Sequence, residues 1–183
     1  FQCQYCKMLA SAFKPMKEKY KDKVRFVMKQ FPMNGKCNPR MGGYDKHPYA
    51  CESSYASHCA GVQGKFWEMH DALYDRQKDL EPVLIRTLAE RVGVDLAQYD
   101  TCLSSAETKE FINQDIKLAF NAQIYGTPKT YINNRLVTGS TSSILDYHIK
   151  RAIQSVEKLQ NELSGGKTKA VVAPVPDGRS MIA

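Results

Sequence analysis

Two cysteines at the start of the chain, Cys3 and Cys6, are separated by two residues and stand at the beginning of a helical pattern. Apolar residues recur at helical spacing from Tyr5 to about Tyr20, which predicts a helix whose hydrogen bonding is interrupted at Pro15. The free amides and positive end of a helix stabilise an anion, so a cysteine placed there is held partly as the thiolate, the form that attacks a disulfide. We therefore predict that Cys3 is the exposed nucleophile and Cys6 the more buried resolving thiol.

A C-x-x-C pair is also compatible with half of a zinc site or with a static structural disulfide. A zinc site needs a second pair of this kind or a nearby Cys and His, and the other four cysteines do not have that spacing: Cys37, Cys51, Cys59 and Cys102. We interpret His47 and His58 as surface or helix residues. The sequence therefore favours thiol–disulfide exchange, which requires no metal and no organic cofactor, with structural zinc as an alternative.

Six cysteines are many for a cytosolic chain of 183 residues, and their even number favours an oxidising compartment. The formal net charge is +7, and the lysines are scattered except between Lys14 and Lys23, where acidic residues interleave with them. That segment is expected to be a solvated helix face or a docking surface for an acidic partner. Because no base-stacking or groove-reading motif accompanies the charge, we expect no binding to nucleic acid.

The remaining pattern predicts an α/β chain with one strand, a block of helices, a hairpin and a final helix. A capping box of Ser104 and Glu107 is expected to open a longer helix within the block, and Asn133-Asn134 predicts a tight hairpin turn. The expected elements are a strand at 24–30, a loop at 31–47, helices from Pro48 to Gly61 and at 65–77, 82–93, 96–103 and 104–124, strands at 130–132 and 136–138, and a helix at 143–163. A flexible tail is expected over residues 164–183.

A further strand, leading Cys3 into the first helix, is expected from this order of elements, and its sequence is missing here. A central strand cannot simply be dispensed with, because its neighbours would lose their hydrogen-bonding partners. We therefore expect the natural protein to continue upstream of Phe1, with the N-terminus of this chain cut.

A second motif, Tyr125-Gly126-Thr127-Pro128, leads into the first strand of the hairpin. A Gly-Thr-Pro segment in this place resembles the cis-proline loop of thioredoxin-like proteins. The resemblance implies that Pro128 follows a cis peptide bond and lies against the C-x-x-C pair. It also implies that Thr127 pairs with the backbone of a bound substrate. A proline in an ordinary trans turn is the alternative.

The chain as a whole, over roughly residues 1–160, resembles the DsbA-like group of thioredoxin-fold thiol–disulfide oxidoreductases. The resemblance is carried by these segments: Phe1–Lys7, Lys29–Pro32, Gln63–Asp71, Gly126–Pro128 and the Asn133-Asn134 hairpin. It implies one thioredoxin-like domain over residues 1–163, with a helical insertion at about 48–124. One departure is Gln4, which stands where many members of the group have proline and which leaves the oxidising strength open.

The resemblance further implies a periplasmic or otherwise extracytoplasmic enzyme that exchanges a Cys3–Cys6 disulfide with protein substrates, as a dithiol oxidase. Thr127 and Pro128 would hold the substrate strand. The electrons would pass to a membrane quinone-linked oxidase of the DsbB or vitamin K epoxide reductase-like type. A disulfide reductase or isomerase of the same fold is one alternative. A non-catalytic thioredoxin-like binding or chaperone module is another, although such a module would be expected to have lost the cysteine pair.

The other four cysteines are expected to form structural disulfides, because free thiols are unusual in an oxidising compartment. Three pairings are possible among four cysteines. Eight residues of continuous helix hold Cys51 and Cys59 about 12 Å apart, so the two take different partners. A bond from Cys37 to Cys51 would close the Gly- and Pro-rich loop, and Cys102 lies where the helical block returns to its start. We therefore predict Cys37–Cys51 and Cys59–Cys102, with buried free cysteines as the alternative.

Overall fold

The computed structural model describes residues 1–45 and 47–164. Within these ranges the chain is mostly helical, with a two-stranded sheet and a short 3₁₀ helix at Pro39–Met41. The helices and strands are α1 (Gln4–Lys19), α2 (Ala50–Val62), α3 (Phe66–Asp75), α4 (Pro82–Arg91), α5 (Leu96–Ser104), α6 (Ala106–Asn121), β1 (Thr130–Ile132), β2 (Arg135–Val137) and α7 (Ser142–Leu163). The tail expected over residues 164–183 lies outside the described residues from 165 onward.

The chain divides into two compact units. The first unit comprises residues 1–7 and 30–127, and the second comprises residues 8–29 and those from 128 onward. The start of α1, with both cysteines of the C-x-x-C pair, therefore belongs to the first unit together with α2 to α6.

Helix α2 lies at the centre of the first unit and packs against α3, α4, α5 and α6. Eight of its 13 residues are buried, and all eight are alanine, serine or cysteine. Small side chains let neighbouring helices approach closely, and the buried hydroxyls are satisfied within the helix. Ser53 Oγ donates to the Tyr49 carbonyl at 2.7 Å, and Ser57 Oγ donates to the Ser54 carbonyl at 3.0 Å. The larger apolar side chains around α2 come from its neighbours: Met69, Leu73, Leu80, Ile85, Leu88, Val94 and Tyr99.

Two disulfides attach other segments of the first unit to α2. Cys51, in the first turn of α2, is bonded to Cys37, and Cys59, one turn before the helix ends, is bonded to Cys102 of α5. The Cα atoms of the two pairs are 5.9 and 5.7 Å apart. This is the pairing that the sequence predicts. The Thr108 hydroxyl lies 3.2 Å from Cys102 Sγ and 3.6 Å from Cys59 Sγ, within reach of both sulfurs.

The loop before α2, which the Cys37–Cys51 bond joins to that helix, is held by buried amide side chains. Asn34 Nδ2 donates to the His47 carbonyl at 3.0 Å, and Asn38 Nδ2 donates to the Pro32 carbonyl at 2.9 Å. Both asparagines are fully buried. The loop also requires glycine at position 35, because a Cβ there would lie 1.8 Å from the carbonyl oxygen of Gly42. Hydrogen bonds and a close backbone approach thus give this loop a defined shape despite its low apolar content.

The second unit contains the hairpin and most of α1 and α7. Strands β1 and β2 pair antiparallel, with Tyr131 opposite Leu136. Asn133 and Asn134 form the turn with φ of 48° and 63°, the two positive values of a type I′ turn. This agrees with the hairpin that the sequence predicts. Two small apolar clusters join α1 to the hairpin and to α7: one around Leu9, Val137 and Leu145, and one around Met16, Tyr20 and Ile149.

The strand predicted at residues 24–30 is wrong for the described structure, because these residues form no strand. The apolar side chains of Val24 and Phe26 pack against the cluster around Met16. The alternating pattern therefore predicts correctly which side chains face the core. An extended segment becomes a strand only when a neighbour completes its hydrogen-bond ladder, and the described residues place no strand beside this one. The strand expected upstream of Phe1 stays a prediction.

The start of α6 also differs from the prediction. The N-cap of α6 is Ser105 instead of Ser104, and its hydroxyl accepts from the Thr108 amide at 3.1 Å. The Ser104 hydroxyl instead donates to the carbonyls of Asp100 and Thr101 in the last turn of α5. Adjacent serines make the two assignments indistinguishable by type alone, and the backbone direction after α5 decides between them.

Removal of each structural disulfide is predicted to destabilise the protein by an amount set by the loop it closes. The separations are 43 residues for Cys59–Cys102 and 14 for Cys37–Cys51. Chain entropy alone gives about 4 kcal/mol for the longer loop and about 3 kcal/mol for the shorter one. We expect the double variant Cys59→Ala with Cys102→Ala to lose more free energy of unfolding in urea than Cys37→Ala with Cys51→Ala. The reverse order, or recovery of any other pairing by non-reducing peptide mapping of the unmodified protein, would contradict this prediction.

Candidate active site

Cys3 is the residue immediately before α1, which begins at Gln4. Its carbonyl accepts from the Lys7 amide at 3.2 Å, which is the first hydrogen bond of the helix. The backbone amides of Tyr5 and Cys6 have no carbonyl one turn earlier, and both lower the pKa of the Cys3 thiol. The start of α1 therefore provides a place for a negative charge on the Cys3 sulfur.

The protons of the two thiols are strongly coupled. The pKa of Cys3 is lowered to about 5, first by the hydrogen bond with the Cys6 thiol and then, against the opposing effect of burial, by the Cys6 amide, Thr127 and the Tyr5 amide. The same hydrogen bond with Cys3, followed by burial, raises the pKa of Cys6 far above its ordinary value. Near neutral pH the pair therefore carries one proton, with Cys3 as the thiolate and Cys6 as the thiol.

Both thiols of the pair are partly accessible to solvent. Cys3 and Cys6 are the cysteines of the described residues that are not in a disulfide, and both are partly exposed. The aromatic ring of Tyr5, between them in the sequence, is 60% exposed. An incoming sulfur can therefore reach a pair that is not covered by protein.

The segment before α1 is held from two sides. Gln77, just after α3, donates from Nε2 to the Phe1 carbonyl at 2.6 Å and to the Cys3 carbonyl at 2.9 Å. Gln2 Oε1 accepts from the Tyr49 amide at 2.8 Å, next to the start of α2. The sequence analysis assigned Gln77 to the end of a helix and gave it no role at the site, because a glutamine in a polar helix end has no distinguishing pattern.

Aromatic rings pack behind this segment. The Phe1 ring lies 4.9 Å from the ring of Tyr74 and 5.8 Å from that of His70, both on α3. Tyr74 is buried, and burial together with the nearby charge of Cys6 and Cys3 raises the pKa of its phenol. An apolar wall of this kind keeps water from the inner side of the pair and strengthens the hydrogen bonds to the sulfur.

Thr127, predicted from the sequence as a site residue, lies beside Cys3. Its carbonyl oxygen is 3.7 Å from Cys3 Sγ, and its hydroxyl donates to Met33 Sδ at 3.5 Å. Met33 lies three residues after Gln30, whose backbone amide donates to the buried Asp115 carboxylate at 2.9 Å. The sequence analysis did not identify Met33 as a site residue, since a methionine in a loop has no signature of its own. The cis isomer at Pro128 and the contact of Pro128 with the sulfurs stay predictions.

Beyond Thr127, the first unit presents an aromatic and cationic patch. The Arg40 guanidinium lies 3.5 Å from the centre of the Phe120 ring, and Tyr125 meets that ring edge-on with 6.3 Å between centroids. The side chain of Tyr125 is 68% exposed. Arg40 lies in the loop that the Cys37–Cys51 bond closes, so this loop contacts the end of α6, while Met33, just before the loop, contacts Thr127.

Searches for a metal site and for a membrane helix gave no candidate in the part of the chain that the structure describes. No group of three or more His, Cys, Asp or Glu side chains there is arranged to hold a metal ion. No helix among the same residues is long and apolar enough to cross a membrane.

Comparison with known proteins places this site in a family. Residues 1–145 match the family described as a DSBA-like thioredoxin domain. Among curated proteins, the Na(+)/H(+) antiporter NhaA 3 of Salinispora tropica is 33% identical over 74% of this chain and 19% of its own length. The antiporter NhaA 1 of Salinispora arenicola is 31% identical over 76% of this chain and 20% of its own length. The chain thus spans about a fifth of the length of these relatives.

A search of solved structures found no match. The family match includes the cysteine pair at the start of α1, the α2–α6 helices, Thr127 and the hairpin. The chain therefore belongs to the family of DSBA-like thioredoxin domains.

Proposed function

We propose that this chain is a thiol–disulfide oxidoreductase that uses the Cys3–Cys6 pair to oxidise dithiols of extracytoplasmic proteins. One observation supports it above the others. The Cys3 sulfur is stabilised as an anion at the start of α1 by the Cys6 thiol and by two backbone amides. Stabilisation of the thiolate favours the reduced pair, which makes the Cys3–Cys6 disulfide an oxidant.

The exchange proceeds in two steps that conserve sulfur and electrons. A substrate thiolate attacks Cys3 Sγ of the Cys3–Cys6 disulfide, forms a mixed disulfide and releases Cys6 as a thiolate. Burial favours the protonated form of Cys6, so it then takes up a proton from solvent. A second substrate thiolate then attacks the substrate sulfur of the mixed disulfide. Cys3 leaves as a thiolate, and its low pKa makes it a good leaving group. The substrate loses two electrons to form its disulfide, and the pair gains them.

Substrate positioning is assigned to the segment next to the nucleophile. Thr127 lies against Cys3, and we propose that its backbone pairs with an extended substrate strand, with Pro128 in the cis form beside it. Backbone pairing is independent of the substrate's side chains, which suits an enzyme that acts on many proteins. The pair requires no organic cofactor or metal for this chemistry.

Turnover requires an electron acceptor for the reduced pair. We propose a membrane quinone-linked oxidase of the DsbB or vitamin K epoxide reductase-like type, with the domain in the periplasm or another extracytoplasmic space. The two disulfides on α2 support an oxidising compartment. Ion transport by the antiporters is not carried over to this chain, because the match covers about a fifth of each of those proteins.

Substitution of the two cysteines is predicted to have opposite effects. Cys3→Ser removes the attacked sulfur and should abolish oxidation of a reduced model peptide. Mixed with a disulfide-bonded peptide, Cys6→Ser keeps the Cys3 thiolate that attacks the peptide disulfide and lacks the thiol that would release the product. It should therefore accumulate mixed disulfides that are visible on non-reducing gels. The double variant Cys37→Ala with Cys51→Ala serves as the control, because it alters cysteine content without touching the pair. Trapping by Cys3→Ser instead of Cys6→Ser would reverse the assignment.

Alkylation of the reduced protein by iodoacetamide is predicted to depend on pH with a midpoint near 5. A depressed pKa means that the thiolate persists at neutral pH and is lost as pH falls through about 5. One thiol should react quickly over this range, and the second, Cys6, should react only slowly even at pH 9. Mass spectrometry of the modified peptide identifies the site. A midpoint near 8.5, the ordinary cysteine value, would contradict the proposed stabilisation.

The redox potential follows from the same pKa. Cysteine pKa values are about 7 in thioredoxin and about 3.5 in DsbA, whose potentials are about −270 and about −120 mV. With Cys3 at about 5, we expect equilibration with glutathione to give a potential between these two values. A potential below that of thioredoxin would contradict a dithiol oxidase and favour a reductase.

A further inference from the structure

The side chain of Gln77 connects the end of α3 to the backbone on both sides of Gln2. Its two Nε2 hydrogens match two acceptors, the carbonyls of Phe1 at 2.6 Å and of Cys3 at 2.9 Å. An amide nitrogen has two hydrogens to donate, so these two bonds use its full donor capacity. The residue is partly buried and separated from Cys3 by 74 positions, so the link is tertiary.

The Cys3 carbonyl is the group on which the geometry of the helix start depends. It accepts both from Gln77 and from the Lys7 amide, the first hydrogen bond of α1. A residue that precedes a helix and caps it with its side chain must keep a non-helical backbone conformation, since otherwise its side chain turns away from the free amides. Fixing the Phe1–Gln2 and Cys3–Gln4 peptide units restricts the backbone rotations of Gln2 and Cys3 that lie between them and set this conformation.

We propose that Gln77 is a positioning residue for the Cys3 nucleophile. By holding the Phe1 and Cys3 carbonyls, it keeps the sulfur directed at the backbone amides of Tyr5 and Cys6. Gln77 does not touch the sulfur and takes no part in bond making or breaking. The importance of Gln77 for catalysis rests on the proposed function, whereas its effect on the alkylation of Cys3 can be measured without turnover.

Replacement by methionine tests this role, because methionine has similar length and no donor. Gln77→Met should raise the pH midpoint of Cys3 alkylation by about one unit, so that the rate at pH 4 falls about tenfold. The equilibrium with glutathione should shift about tenfold toward the Cys3–Cys6 disulfide, because the thiolate is less stabilised in the reduced protein. Gln77→Glu should raise the midpoint as well, since an ionised carboxylate repels both carbonyls.

Gln63 provides a matched control within the same unit. Its side chain also makes two backbone hydrogen bonds, accepting from the Asp95 amide at 2.7 Å and donating to the Asp95 carbonyl at 3.1 Å, with no contact to the pair. Gln63→Met should lower stability to denaturant without moving the alkylation midpoint. An unchanged midpoint in folded Gln77→Met, or equal shifts in both variants, would overturn the positioning role and leave Gln77 as a structural residue.

Proton NMR of the unmodified, reduced protein decides the question if Gln77→Met does not fold. The Gln77 side-chain amide resonances should move with a midpoint equal to that of Cys3, and those of Gln63 should not. Absence of this response would overturn the proposal. Peptide oxidation measured in parallel separates the two hypotheses: if the unmodified protein oxidises nothing while the midpoint shifts in Gln77→Met, the proposed function fails and the positioning role stands.

Discussion

The hydrogen bond between the two thiols of the pair sets the chemistry of the whole first unit. The pKa of Cys3 is lowered and that of Cys6 is raised, because the two thiols share a hydrogen bond and the backbone amides of the helix start lower the pKa of Cys3 alone. The difference between the two sulfurs is therefore positional, since both are cysteines separated by less than one helical turn. Everything that fixes the start of α1 contributes to this difference, because a small rotation of Cys3 would direct its sulfur away from the amides.

The helices of the first unit supply that rigidity. Helix α2 is composed of small residues along its buried faces, which allows four other helices to pack around it. Helix α3 is one of these, and it carries Tyr74 and ends shortly before Gln77, so the wall behind the pair and the anchor of its backbone come from one element. The segment 30–33 is tied into the same unit by Gln30, which donates to both Asp115 and Ser57. The site thus depends on packing around α2 more than on any sheet within the described residues.

Sequence reasoning succeeded where a local rule was sufficient. The C-x-x-C pair, the boundaries of α2 to α5 within a few residues, and the Asn133-Asn134 turn each follow from periodicity, capping or turn chemistry over a few residues. The disulfide pairing followed from the length of a helix. The strand predicted at residues 24–30 was wrong, because an alternating pattern describes burial and does not supply a partner strand. Sequence reasoning also could not find Gln77 or Met33, whose roles come from contacts with residues more than 70 positions away.

A helix start alone does not make a cysteine reactive, as Cys51 demonstrates. Cys51 lies in the first turn of α2 and, if reduced, would also meet free backbone amides. It is only 3% exposed, and Cys37 is held against it by a loop anchored through Asn34 and Asn38. An attacking thiolate cannot approach the sulfur along the axis of such a buried bond without opening the loop. Cys3 combines a helix start with partial exposure, so access, added to the helix start, separates the pair proposed to exchange from the structural disulfides.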